Sequence, residues 1–95
     1  MNAPPPLEGH KLHRWSPIDE RQRHTGSCRQ IVAGVIQGAA AGLMICELDG
    51  EGLFFLYGCD ANWDVVTDTC HFSLEEAMGQ AEFEYEGISK TWMVG

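Results

Sequence analysis

Basic residues are scarce in this 95-residue chain: six Lys and Arg stand against fourteen Asp and Glu, a formal net charge of −8 with neutral histidines. Sequence-independent binding of DNA or RNA rests on neutralising phosphates with Lys and Arg, so the composition argues against nucleic acid as a partner. A membrane-length apolar run is also missing. The longest, residues 31–46, is broken by Gln37 and by glycines, and at 16 residues it falls short of the roughly 20 that a span requires. The opening residues show no charged stretch leading into an apolar one, so no secretory signal is expected, and the chain reads as cytoplasmic with reduced thiols. The four cysteines, at 28, 46, 59 and 70, have no pair at the two-residue spacing of a zinc knuckle. No glycine-rich phosphate loop, dinucleotide fingerprint or Ser–His–Asp order is found. No catalytic set, cofactor or metal is therefore expected.

What is present is globular in character, with 44 % hydrophobic and 21 % charged residues, and the length allows one small domain. Charge is unevenly spread. Residues 1–30 hold five bases and three acids, for +2, whereas residues 31–95 hold Lys90 against eleven acids, for −10. All four prolines and three of the four histidines fall before residue 27. This composition predicts a disordered basic tail over 1–26 and a single α+β domain over 27–95.

Within that domain, Cys28, Ile31, Val32, Val35 and Ile36 fit one helical face, and the same β-branched run fits a buried strand, so 28–37 is a short helix or strand. Asp49-Gly50 is a strong hairpin signal between two apolar runs. Leu53-Phe54-Phe55-Leu56-Tyr57 is apolar on both faces and reads as the central strand. Asp60-Ala61-Asn62 reads as a turn, with Asn suited to a left-handed backbone. Residues 63–70 alternate, placing Asp64 and Asp68 on an acidic outer face. The expectation is a three-stranded antiparallel meander over about 43–70. It packs on a helix over about 74–86 that opens with a capping box, Ser73-Leu74-Glu75-Glu76, and stops at Gly87.

The reactive residue types do not assemble into familiar sites. In a meander, Cys59 sits at a turn and Cys70 at the far end of the next strand, roughly 26 Å away, too far for one zinc ion or a disulfide. Cys70 and His71 are adjacent in a strand and point to opposite faces, which is no nucleophile–base pair. Asp64 and Asp68 are about 13 Å apart along one strand, beyond the 5–9.5 Å of paired glycosidase carboxylates. His71 returns toward Asp49 and Glu51, an arrangement that would suit a divalent metal.

The stretch from Gly42 to Trp92 resembles a bacterial family of small proteins to which no activity is assigned. The resemblance rests on Phe54-Phe55-Leu56-Tyr57-Gly58-Cys59-Asp60-Ala61-Asn62-Trp63, then Thr67-Asp68-Thr69 and His71. It continues through Ser73-Leu74-Glu75-Glu76-Ala77, Gln80-Ala81-Glu82-Phe83-Glu84 and Trp92. In size, charge and layout the chain is also similar to proteins that neutralise bacterial toxins, an analogy at the level of the fold.

The expected function is that of a small acidic, non-catalytic protein-interaction module, self-associating or immunity-like. Its partner is a basic protein or a second copy, with neither nucleic acid nor membrane involved. Candidate contact residues are Glu75, Glu82, Phe83, Glu84, Glu86, Asp64 and Asp68; Phe83 stands out as an aromatic ring between two acids. The alternative is a small metal-dependent or hydrolytic domain using His71 with nearby carboxylates.

Overall fold

The computed structural model describes residues 2–26, the backbone of 31–32 and 35–36, and residues 38–95. The elements are β1 (His10–Pro17), β2 (Arg23–His24), β3 (Ile31–Val32), β4 (Val35–Ile36), β5 (Gly42–Leu48), β6 (Leu53–Cys59), β7 (Val65–His71), α1 (Leu74–Glu84), β8 (Tyr85–Glu86), a 3₁₀ turn (Ile88–Lys90) and β9 (Met93–Val94). Cys28 lies outside the described residues. The short elements β3 and β4 pair antiparallel, Ile31 with Ile36 and Val32 with Val35.

The expected three-stranded meander on a helix is corrected to a five-stranded antiparallel sheet in the order β7-β6-β5-β1-β9. The added strands come from outside the segment read as a meander. Residues of the predicted tail form β1, which pairs with β5 from His10↔Leu48 to Pro17↔Gly42 and with β9 through Arg14↔Val94 and Trp15↔Met93. The middle of the sheet is therefore β5 and not β6, and residues 42–46 of β5 are all buried.

A β-bulge between Leu12 and Arg14 explains how this polar-looking segment joins the sheet. One extra residue resets the pleat, so Leu12 and Trp15, three apart, face the same side. A buried polar cluster then ties β1 to the chain's last turn. The Ser16 and Thr91 hydroxyls lie 2.8 Å apart, and the Gln22 amide donates to Thr91 Oγ1 at 2.7 Å and to the Pro17 carbonyl at 3.2 Å.

The sheet has two dissimilar faces. On one, Leu43, Ile45 and Leu56 pack under Ala77 and Ala81 of α1, with Tyr85 and Ile88 completing the core. The small alanines let the helix sit close to the sheet. On the other, Met44, Cys46 and Cys59 are buried among Leu12, Trp15, Tyr57 and Trp63.

The helix begins where its capping residues place it. The Ser73 hydroxyl accepts from the Glu76 N–H at 3.1 Å, while Glu76 accepts from the Phe72 N–H at 3.0 Å. It ends at Glu84, two residues before the predicted end at 86, because Tyr85 and Glu86 pair with His24 and Arg23 as strand β8. Gly87 is left-handed (φ +99), and a Cβ there would lie 2.9 Å from the Arg21 carbonyl, so both conformation and space require glycine.

Candidate functional site

The seven predicted contact residues divide between the two sides of the sheet. Glu75 and Phe83 are on the solvent side of α1; Phe83 is 56 % exposed. Glu82 is engaged internally, accepting from the Gly87 N–H at 2.8 Å and the Ser89 N–H at 3.1 Å. Glu84 is buried and accepts from the Gln80 amide at 2.9 Å. Glu86 is exposed and pairs with Arg23 at 2.8 Å. Asp64 and Asp68 are exposed on β7 or at its entrance. Asp68 pairs across from Tyr57, which places it on the face away from α1.

The two backbone donors, the Gly87 N–H first, hold the Glu82 carboxyl below its ordinary value of 4.5, with the Lys90 charge adding to the effect. A carboxyl whose folded-state pKa is depressed contributes stability above its unfolded value and loses it as pH falls through the folded value. Glu82→Ala is expected to cost about 1–2 kcal/mol at neutral pH. Thermal melts should show the wild-type advantage over Glu82→Ala shrinking as pH drops below 4.5. A difference that persists unchanged into acid would show that the carboxylate is not the stabilising species.

Other exposed groups lie on α1 and just before it. Phe72, just before the helix, is 80 % exposed. Gly79, at helical spacing between Glu75 and Phe83, has open space where a Cβ would stand. The ion pairs among the described residues are His13–Glu47, Arg21–Asp19 and Arg23–Glu86. Glu75 and Glu76 thus have no cationic side-chain partner among the described residues, and Glu76 is held by the Phe72 N–H at the helix start. Neither Phe72 nor the Gly79 gap was singled out in the sequence, because exposure of a ring flanking a helix is set by what packs around it.

The opposite face is aromatic. Trp15 and Trp63 meet edge to face with centroids 6.0 Å apart, and Phe55 stacks with Tyr57 at 5.7 Å. His10 Nε2 lies 3.0 Å from the Tyr57 hydroxyl. Trp63, and not Asn62, takes the left-handed backbone of the turn, at φ 65. Asp60 holds that turn by accepting from the Asn62 and Asp64 N–H groups at 2.8 and 3.0 Å. A bulky residue in this region costs of order 1–3 kcal/mol and is kept where the surroundings over-determine it.

A cavity of about 290 Å³ opens beside these elements, lined among others by His24, Ala40, Cys59, Thr67, Glu84 and Tyr85. His24 stacks on Tyr85 with centroids 4.9 Å apart, and the Tyr85 hydroxyl accepts from the Ala40 N–H at 2.8 Å. Burial pushes the Cys59 thiol up to about 12, which keeps it protonated, unlike the depressed thiols of catalytic cysteines. Cys46 is likewise raised, to about 11. Cys46, Cys59 and Cys70 are free, and Cys70 alone of these is exposed. Cys59 is opposite Val65; five residues further along β7, Cys70 is about 16 Å away.

His71 lies on the helix side of the sheet, opposite Phe54, with Nε2 2.8 Å from the Thr69 hydroxyl. Asp68 is therefore across the sheet from it. Among the described residues no group of three or more His, Cys, Asp or Glu is placed to hold a metal ion, and no described helix is long and apolar enough to cross a membrane. No family model, curated protein or solved structure matches the chain.

Proposed function

We propose that this protein is a small acidic interaction module that presents the outer face of α1 to a basic protein surface, in the manner of proteins that neutralise bacterial toxins. One observation carries the reading: two exposed phenylalanines, Phe72 at 80 % and Phe83 at 56 %, flank a helix face whose Glu75 and Glu76 have no cationic partner among the described residues. Burying a phenylalanine side chain is worth about 1.5–3 kcal/mol, and aromatic anchors of this kind dominate interface energetics. The open position at Gly79 lets an approaching backbone come close between the two rings. Carboxylates that lack a cationic partner select a basic surface and speed its encounter. The same charge on two copies repels, so a basic partner is favoured over self-association through this face.

The test compares wild type with the double variant Glu75→Lys, Phe83→Ser, each immobilised and exposed to lysate. The wild type is expected to retain proteins with basic surfaces that elute as salt is raised. The variant is expected to lose them about 30-fold, the equivalent of about 2 kcal/mol, while its stability stays within about 0.5 kcal/mol of wild type. An identical retained set for both proteins would overturn the assignment.

A further inference from the structure

We propose that the sheet face opposite α1 carries a groove for proline-rich peptides, occupied here by the chain's own proline segment and open to a partner's segment that fits it better. This site is separate from the helix face and does not depend on it.

Three consecutive prolines, Pro4-Pro5-Pro6, fix their own φ near −65° and hold each preceding residue extended. Such a stretch is a left-handed helix with no internal hydrogen bonds, so its carbonyls are free to accept from a binding surface. The structure places it against the aromatic face. Pro4 is buried, and the Trp63 indole N–H donates to the Asn2 carbonyl at 2.8 Å. Trp15, edge to face with Trp63, and Tyr57 border the same face. An indole N–H donated to the backbone of a proline-bearing segment, beside an apolar pocket next to Leu12, Met44 and Cys46, is the kind of chemistry by which proline-rich segments are recognised. The left-handed backbone of Trp63, an unfavourable conformation for so large a residue, belongs to the residue that makes this donor contact.

The resident segment fills the groove incompletely. A cavity of about 180 Å³ remains between it and the sheet, walled by Pro4, Leu7, Leu12, Met44 and Cys46. An apolar cavity of roughly 150 Å³ accommodates a benzene ring, so the space admits a leucine, methionine or phenylalanine side chain inserted among prolines. The exposed carboxylate of Asp68, opposite Tyr57 in the sheet, favours a Lys or Arg flanking them. The matching ligand is thus a partner's proline-rich segment with one bulky apolar residue and a basic flank. The chain's own segment is tethered through Gly9, left-handed at φ +75, and competes at a local concentration in the millimolar range. A partner must displace it.

The experiment uses the full-length chain, ¹⁵N-labelled, and the peptide Asn-Ala-Leu-Pro-Pro-Leu-Lys-Arg. In wild type, the Trp63 indole resonance is expected to shift on titration, and the amides of Ala3 and Leu7 to move toward unstructured positions as the resident segment leaves. In the variant Pro4→Ser, Pro5→Ser, Pro6→Ser, competition is weakened and half-saturation should fall at least about tenfold. Trp63→Phe in that triple variant, where the resident prolines no longer compete, replaces the indole with a smaller ring lacking the N–H and should weaken the peptide about tenfold, read at the Leu7 amide. A peptide with serines in place of leucine and prolines should produce none of these shifts. If the triple variant does not fold, the wild-type titration and the serine peptide decide the matter. The proposal is overturned if the wild-type indole and Ala3 signals stay still up to about 5 mM peptide, or if the serine peptide moves them equally.

Discussion

A chain beginning at residue 27 is expected not to fold. If residues 1–26 were a disordered tail, their removal would leave the thermal transition untouched. In the observed sheet they supply β1, which lies between β5 and β9 and pairs with seven consecutive residues of β5. Deleting residues 1–26 removes Leu12, Trp15 and Ile18 from the two cores. At the lower end of the usual range, three such side chains amount to about 4–5 kcal/mol. A domain of this length has about 5–14 kcal/mol in total. The Ser16 and Gln22 bonds to Thr91 are lost as well, and the most buried strand becomes a bare edge, which invites aggregation. Far-ultraviolet circular dichroism on heating is the measurement. A cooperative melt within a few degrees of the full chain would refute the placement of β1.

The second large effect is expected at Ile45. Its side chain is fully buried at the middle of β5, with Leu56 opposite and Ala77 and Ala81 of the helix in the same cluster. Ile45→Ala deletes three carbons where the overlying residues are alanines with no long side chain to swing into the gap. The cavity therefore persists, and the cost should sit toward the upper part of the usual range, about 3–5 kcal/mol. Ile45→Val should cost about 0.5–1.5 kcal/mol. Urea unfolding of the two variants beside wild type measures both. An Ile45→Ala cost below about 1 kcal/mol would mean that α1 does not cap this position.

Part of the proposed contact surface was readable in the sequence alone. Phe83, as an apolar ring between two acids, breaks the helical stripe and announces exposure. The acids around it look alike in sequence and turn out different in use: Glu82 closes the helix end, Glu84 is buried against Gln80, and Glu86 pairs with Arg23. That division depends on where Gly87, Ser89 and β2 come to lie. Spacing along one helix carries no information about groups brought in from residues 23–25. The proline groove was invisible for a related reason. Pro4-Pro5-Pro6 signals a stiff extended segment, but its docking depends on Trp63 donating across 61 positions of sequence.

Local chemistry determined the elements that need only their own neighbours: the helix start at Ser73 with Glu76, the left-handed backbone at Gly87, and apolar strand segments on either side of the Asp49-Gly50 turn. Their signals are short-range, arising from capping bonds, backbone sterics and side-chain alternation. Tertiary structure alone decided how the elements assemble. The bulge between Leu12 and Arg14 erased the period of two from β1, leaving a segment with tail-like composition. Only the open hydrogen-bonding edge of β5, and the apolar face behind it, could select that segment as the next strand.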